Sequence, residues 1–203
     1  MTSVEINCPI CKKKFEINML MSTNMWGAPD LDLRPPEMRR STMDTWVHEC
    51  PECGYVASDF KKTPEITEDF LKSDSYRNCD FHEFKHPLSD RFYRQYLIAS
   101  ANEEKFYALL HCAWTCDDGD DEENAVLIRK KALEYMDLLE LNDDMMIQRA
   151  DLLRRTNQFE RLIDEYSAKS FDEDIYNIVC GFEVEKAMQK DNACYTVEDA
   201  VKD

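Results

Sequence analysis

Glycine is nearly absent from this sequence, at four of 203 residues. A phosphate-cradling loop needs several glycines together, so that backbone amides can approach the ligand closely. Sites of that kind have no place here. The strand-to-helix nucleophile elbow and the helical metal-hydrolase signature are missing as well, and no catalytic constellation is expected. No apolar run reaches the ~20 residues of a membrane span. No charged-then-apolar leader opens the chain, so the expected location is the cytoplasm, away from any membrane. Positive charge is also scarce: 25 Lys and Arg stand against 42 Asp and Glu, a net of −17. Proteins that grip nucleic acid are basic over the contact face, which argues against DNA or RNA as partner.

The deficit is uneven. Residues 1–62 carry 8 basic and 9 acidic side chains, whereas residues 63–203 carry 17 against 33. The first segment is therefore close to neutral, with Lys12, Lys13, Lys14, Arg39 and Arg40 as its potential basic patch. A solvated surface is the plainer reading of those five.

Cysteine, in contrast, is plentiful. Nine are present, and an odd number suits a reducing compartment better than a disulfide framework. Four of them stand in two like turns, Cys8-Pro9-Ile10-Cys11 and Cys50-Pro51-Glu52-Cys53-Gly54-Tyr55. Each CPxC turn can set two thiolates at the tip of a knuckle, and four thiolates close the tetrahedral shell of a structural zinc. Cys8, Cys11, Cys50 and Cys53 are therefore the expected ligands and Zn the expected cofactor. A pair of redox dithiols is the alternative. The 38 intervening residues exceed the roughly 15–20 of a compact ribbon, which requires a long insertion. Lys12 stands where the second knuckle has Gly54, so the first turn is expected to be less regular.

Alternation in Ser3–Ile6 and again in Phe15–Ile17 predicts strands on either side of the first knuckle. Strands are likewise expected over residues 45–48 and 55–60, with Trp46, Tyr55 and Phe15 forming a small core locked by the metal. Residues 61–87 read as a linker. Within it Cys79, His82 and His86 have metal-ligand spacing but no fourth ligand, and a polar loop is the plainer account.

From Leu88 the apolar period becomes helical. Phe92, Tyr96, Ala99, Phe106, Leu109, Leu110, Ala113 and Trp114 make one stripe. Asp117-Asp118-Gly119-Asp120 breaks it, with Asp120 as the expected N-cap of the next helix. Ala125, Ile128, Ala132, Tyr135 and Leu139 form a second stripe, and Asn142-Asp143-Asp144 and Thr156-Asn157 are further breaks. A last helix is expected over residues 172–189. The turns at Gly119 and Asn157 lie 38 residues apart, near the tetratricopeptide period, although an ordinary helical bundle fits as well. Cys112 and Cys116, beside His111, read as small buried hydrophobes.

The CPIC opening, the stretch Asp30-Leu31-Asp32-Leu33-Arg34 with Arg40-Ser41-Thr42-Met43, and the Trp46-Val47…CPECGY run together resemble the bacterial domain-of-unknown-function family 2225. The Ala113-Trp114 helix ending in Asp118-Gly119-Asp120 and the Leu152-Leu153-Arg154-Arg155…Phe159 run are similar to its helical part. The resemblance implies a zinc ribbon joined to tetratricopeptide-like helices, with the same four cysteines as ligands; that family has no assigned activity, so the resemblance implies an architecture and not a role. The expected fold class is thus α+β: a zinc-ribbon domain over residues 1–62, a linker over 63–87 and an all-α helical array over 88–203. The expected function is a zinc-binding protein-interaction module without catalytic activity, its partner unknown and possibly basic. A ribbon bound to nucleic acid or the transcription apparatus is one alternative, and a thiol redox sensor another.

Overall fold

The computed structural model describes residues 1–62, 64–77 and 83–202. Strands β1 (Thr2–Asn7) and β2 (Lys14–Met19) pair antiparallel, with Val4 opposite Ile17 and Ile6 opposite Phe15. The second knuckle joins two much shorter strands, β3 (His48–Glu49) and β4 (Val56–Ala57). Strands were expected over residues 45–48 and 55–60. Instead, a 3-10 helix, Arg40–Thr45, ends just before β3. Its Thr42 and Thr45 hydroxyls donate to the Arg39 and Thr42 carbonyls, a local alternative to ladder bonds.

Helices follow. Within the expected linker, α1 (Glu68–Lys72) is capped by the Thr67 hydroxyl, and α2 (Asp74–Arg77) comes directly after it. The array comprises α3 (Pro87–Ile98), α4 (Asn102–Asp118), α5 (Glu122–Met136), α6 (Asp143–Arg155), α7 (Phe159–Tyr166), α8 (Asp174–Met188) and the short α9 (Val197–Lys202). The first stripe read as one helix is two. Ala99 and Ala101 are extended, and α3 and α4 fold back on each other there. Neither residue forbids a helix, so packing decides the break, and no local signal marks it. The Gly119 break stands as expected, with Gly119 as the C-cap of α4; a Cβ there would lie 3.0 Å from the His86 Cβ. Asp121, not Asp120, precedes the first turn of α5, while Asp120 takes φ of 51°. Asn142 caps α6 by accepting from the Met145 N–H at 2.9 Å.

Two apolar clusters hold these elements. The larger runs through α3 to α9 and includes Leu31, Met43, Val47 and Val56 from the N-terminal segment. The insertion between the knuckles is therefore built into the helical core. Trp46, expected beside Tyr55 and Phe15, packs there as well, edge-to-face with His111 at 5.2 Å. The smaller cluster joins Cys8, Cys50, Tyr55, Ala57 and Phe60 to Leu71 and Tyr76 of α1 and α2. Phe15 and Tyr55 each meet Phe60 edge-to-face at 5.2 Å.

The stretch from Asp30 to Arg34 turns through Leu33, at φ 63°, and is fastened on three sides. Asp32 is buried, and its carboxylate accepts from Trp114 Nε1 at 2.6 Å while its carbonyl accepts from Gln148 Nε2 at 3.0 Å. Arg34 forms an ion pair with Asp118 at 2.6 Å. Leu31 N–H donates to the Tyr195 carbonyl, and Val197 N–H to that of Pro29. Replacing Trp114 by Phe keeps most of the buried ring area but removes the donor to a buried carboxylate. Such a loss costs about 1.5–3 kcal/mol. Denaturant unfolding of Trp114→Phe should show it, with metal content unchanged. An unmoved midpoint would mean that the bond contributes nothing net.

Candidate metal centre

Each CPxC turn follows one pattern. In the first knuckle Cys8 N–H donates to the Lys13 carbonyl and Lys12 N–H to that of Cys8. In the second Cys50 N–H donates to the Tyr55 carbonyl and Gly54 N–H to that of Cys50. The irregularity expected at Lys12 is absent in geometry: Lys12 takes φ 63° beside 73° for Gly54. A left-handed lysine costs about 1–2 kcal/mol, so the first knuckle carries strain that the second avoids. Lys12 Nζ donates to the Pro9 carbonyl across the turn at 2.5 Å.

The two turns bring four sulfurs together. Cys8 and Cys53 Sγ are 3.6 Å apart, Cys11 and Cys50 Sγ 3.7 Å, and all four lie within 4.8 Å of one another. A tetrahedron with metal–sulfur bonds of about 2.3 Å has edges of about 3.8 Å, so the donor set has the size of a metal site. Cys8 and Cys50 are buried, and Cys11 and Cys53 partly so. Burial pushes the Cys50 and Cys53 thiols up. It acts on Cys11 in the same sense, but the Lys13 N–H and the neighbouring thiols outweigh it and hold Cys11 lower. A bound divalent cation favours thiolate at every position. Four sulfurs fill a tetrahedral shell, which leaves no ligand position for water or substrate. Among the described residues no other cluster has this character.

The remaining metal candidates fall elsewhere. His48 sits in β3 and is not in the cluster. Cys79 and His82 lie outside the described residues, and His86 Nδ1 caps α3 by accepting from Leu88 N–H at 3.2 Å. Cys112 and Cys116 are fully buried in α4, where the Cys112 thiol donates to the Ser89 carbonyl. Most members of the potential basic patch are engaged within the chain. Lys14 pairs with Glu5, Arg40 with Asp30, and Arg39 lies over the Trp46 ring at 5.8 Å.

Two residues with no sequence signal fasten the cluster to the helices. Arg94 of α3 donates to both oxygens of Glu49, next to Cys50, at 2.9 and 3.1 Å, and to the Gly54 carbonyl at 3.2 Å. The Tyr76 hydroxyl donates to that same carbonyl at 2.9 Å. Such contacts depend on chain crossings, and no periodicity announces them. No helix among the described residues is long and apolar enough to cross a membrane.

No curated protein and no solved structure gives a match to this chain. One family pattern does, over residues 1–159, which takes in both knuckles, the Asp30–Arg34 stretch and the helices through α6. By that match the chain belongs to the family described as an uncharacterized protein conserved in bacteria, DUF2225.

Proposed function

We propose that this chain is a zinc-stabilised protein-interaction module with no catalytic activity, working in the cytoplasm. The observation that carries this reading is the closed set of four sulfurs at Cys8, Cys11, Cys50 and Cys53. A metal held there is structural, and zinc is the ion that an all-thiolate tetrahedral set suits best. The tie through Arg94 and Tyr76 makes the ribbon a rigid end-piece to the helices. The successive helical pairs, tetratricopeptide-like in spacing, present the surface to a partner. With the acidic excess on residues 63–203, the partner is basic, and steering speeds its association.

The intact chain on a matrix, with a lysate of its host, should retain one reproducible partner. With that partner purified, raising salt should slow association while changing dissociation little. A parallel titration with labelled DNA and RNA should show only weak, salt-sensitive binding at physiological ionic strength. Sub-micromolar nucleic-acid affinity at that salt, or no partner beyond the bare matrix, would overturn this reading.

A further inference from the structure

The knuckles leave unused a groove of about 960 Å³ where the ribbon end, α1, α3 and the start of α4 meet. Phe70, Leu97 and Tyr107 give it an apolar floor, and Trp46 and His111 line it as well. Burial, with Arg34 nearby, lowers the His111 imidazole to about 4, so that wall is uncharged at neutral pH. The polar lining has one dominant sign. Asp59, Glu65, Glu103 and Glu104 are all exposed there, against Lys62 alone, which leans toward Glu104 at 3.8 Å. Ala99 and Ser100, where α3 stops, also line it, and the carbonyl end of a helix favours cations.

A volume of this size is in the range of ligand sites. An apolar floor under an acidic margin suits a chain that alternates apolar and basic side chains. Nucleic acid is repelled by the same margin. We propose that the groove binds a short basic peptide segment of a partner protein, with an aliphatic or aromatic side chain on the Phe70–Leu97–Tyr107 floor and Lys or Arg at the acidic rim. This inference rests on the interaction reading above and narrows it to a site shared by the ribbon end and the helices, with Lys/Arg recognition at its edge.

A phage-displayed library of random dodecapeptides, panned on the intact zinc-loaded chain, tests it. Selected peptides should interleave Lys or Arg with Leu, Ile, Phe or Tyr. One of them, labelled for anisotropy, should bind a Glu65→Lys, Glu103→Lys double variant about tenfold more weakly or worse, as expected for reversing close charges. A Glu134→Lys, Glu140→Lys variant, with the same net charge change at exposed positions outside the groove lining, should lose little. Equal losses in the two variants, no enrichment, or enrichment of acidic peptides would overturn the proposal. If the groove variant still holds the purified partner as tightly as the native chain, the groove assignment fails while the interaction reading stands.

Discussion

Cys50→Ser should abolish metal binding, taking purified protein from about one zinc per chain, the content of one closed tetrahedral site, to essentially none by elemental analysis. Structural zinc contributes about 10–16 kcal/mol of apparent binding free energy, and for a small ribbon that is folding free energy. The two strand pairs here, of six and two residues per strand, are too small to stand alone in water. Hydrogen exchange in β1, β2 and both knuckles should rise to near the unfolded rate in the variant, and in native protein treated with a strong chelator. The helices should respond less. Leu31, Met43, Val47 and Val56 are held in their core by many neighbours besides the knuckles. Metal-free protein with protected ribbon amides would remove the structural role assigned to the site.

The second large effect is expected at Arg154. This guanidinium is fully buried between Asp151 at 2.7 Å and Glu183 at 2.5 Å, and it also donates to the Ala193 carbonyl at 2.6 Å. Arg154→Met leaves two buried carboxyls without their cation, and breaking such a pair costs about 3–5 kcal/mol. Glu183 adds a pH signature. Burial, with Asp151 close by, pushes its carboxyl up to about 8 from an ordinary 4.5. Between those values the folded chain holds a proton that the unfolded chain has released. The stabilisation is therefore complete below about 4.5 and declines as pH rises toward about 8. The slope contributed by one such proton is at most about 1.4 kcal/mol per pH unit. Glu183→Gln should remove it, so the difference between native and variant stability should change across that window. Parallel stability curves from pH 5 to 8 would show that Glu183 is ionised throughout.

How much of this was legible beforehand follows the range of each interaction. The knuckle cysteines and the flanking alternation are local, and the sulfur cluster and the β1–β2 pairing lie where that pattern puts them. The breaks at Gly119, Asn142 and Asn157 are local too, since each depends on one residue's backbone or cap. Trp46 was misplaced because an aromatic near a knuckle looks like ribbon core, whereas the 3-10 turn before it swings the ring toward His111. The Asp30–Arg34 stretch and the Trp114 helix were visible as two separate motifs. That Asp32 accepts from Trp114 and Arg34 pairs with Asp118 could not be read, because each contact joins residues more than 80 apart. Arg154 follows Ile147, Ala150 and Leu153 on one helical stripe, but its partners Asp151 and Glu183 and its place as the most enclosed cation described could not be read from that spacing.

The seating of residues 29–33 against 195–197 has a consequence for the order of events during synthesis. All four knuckle cysteines precede α3 in the chain, so the cysteine cluster is complete in sequence before any helix of the array is made. The loop beside it cannot finish. Its Asp32 carbonyl waits for Gln148, 116 residues downstream, and the Leu31 amide and the Pro29 carbonyl wait for Tyr195 and Val197, later still. Closing so long a loop is slow. Until the tail arrives the loop that carries Leu31 lacks two of its backbone partners, and that part of the large core is incomplete.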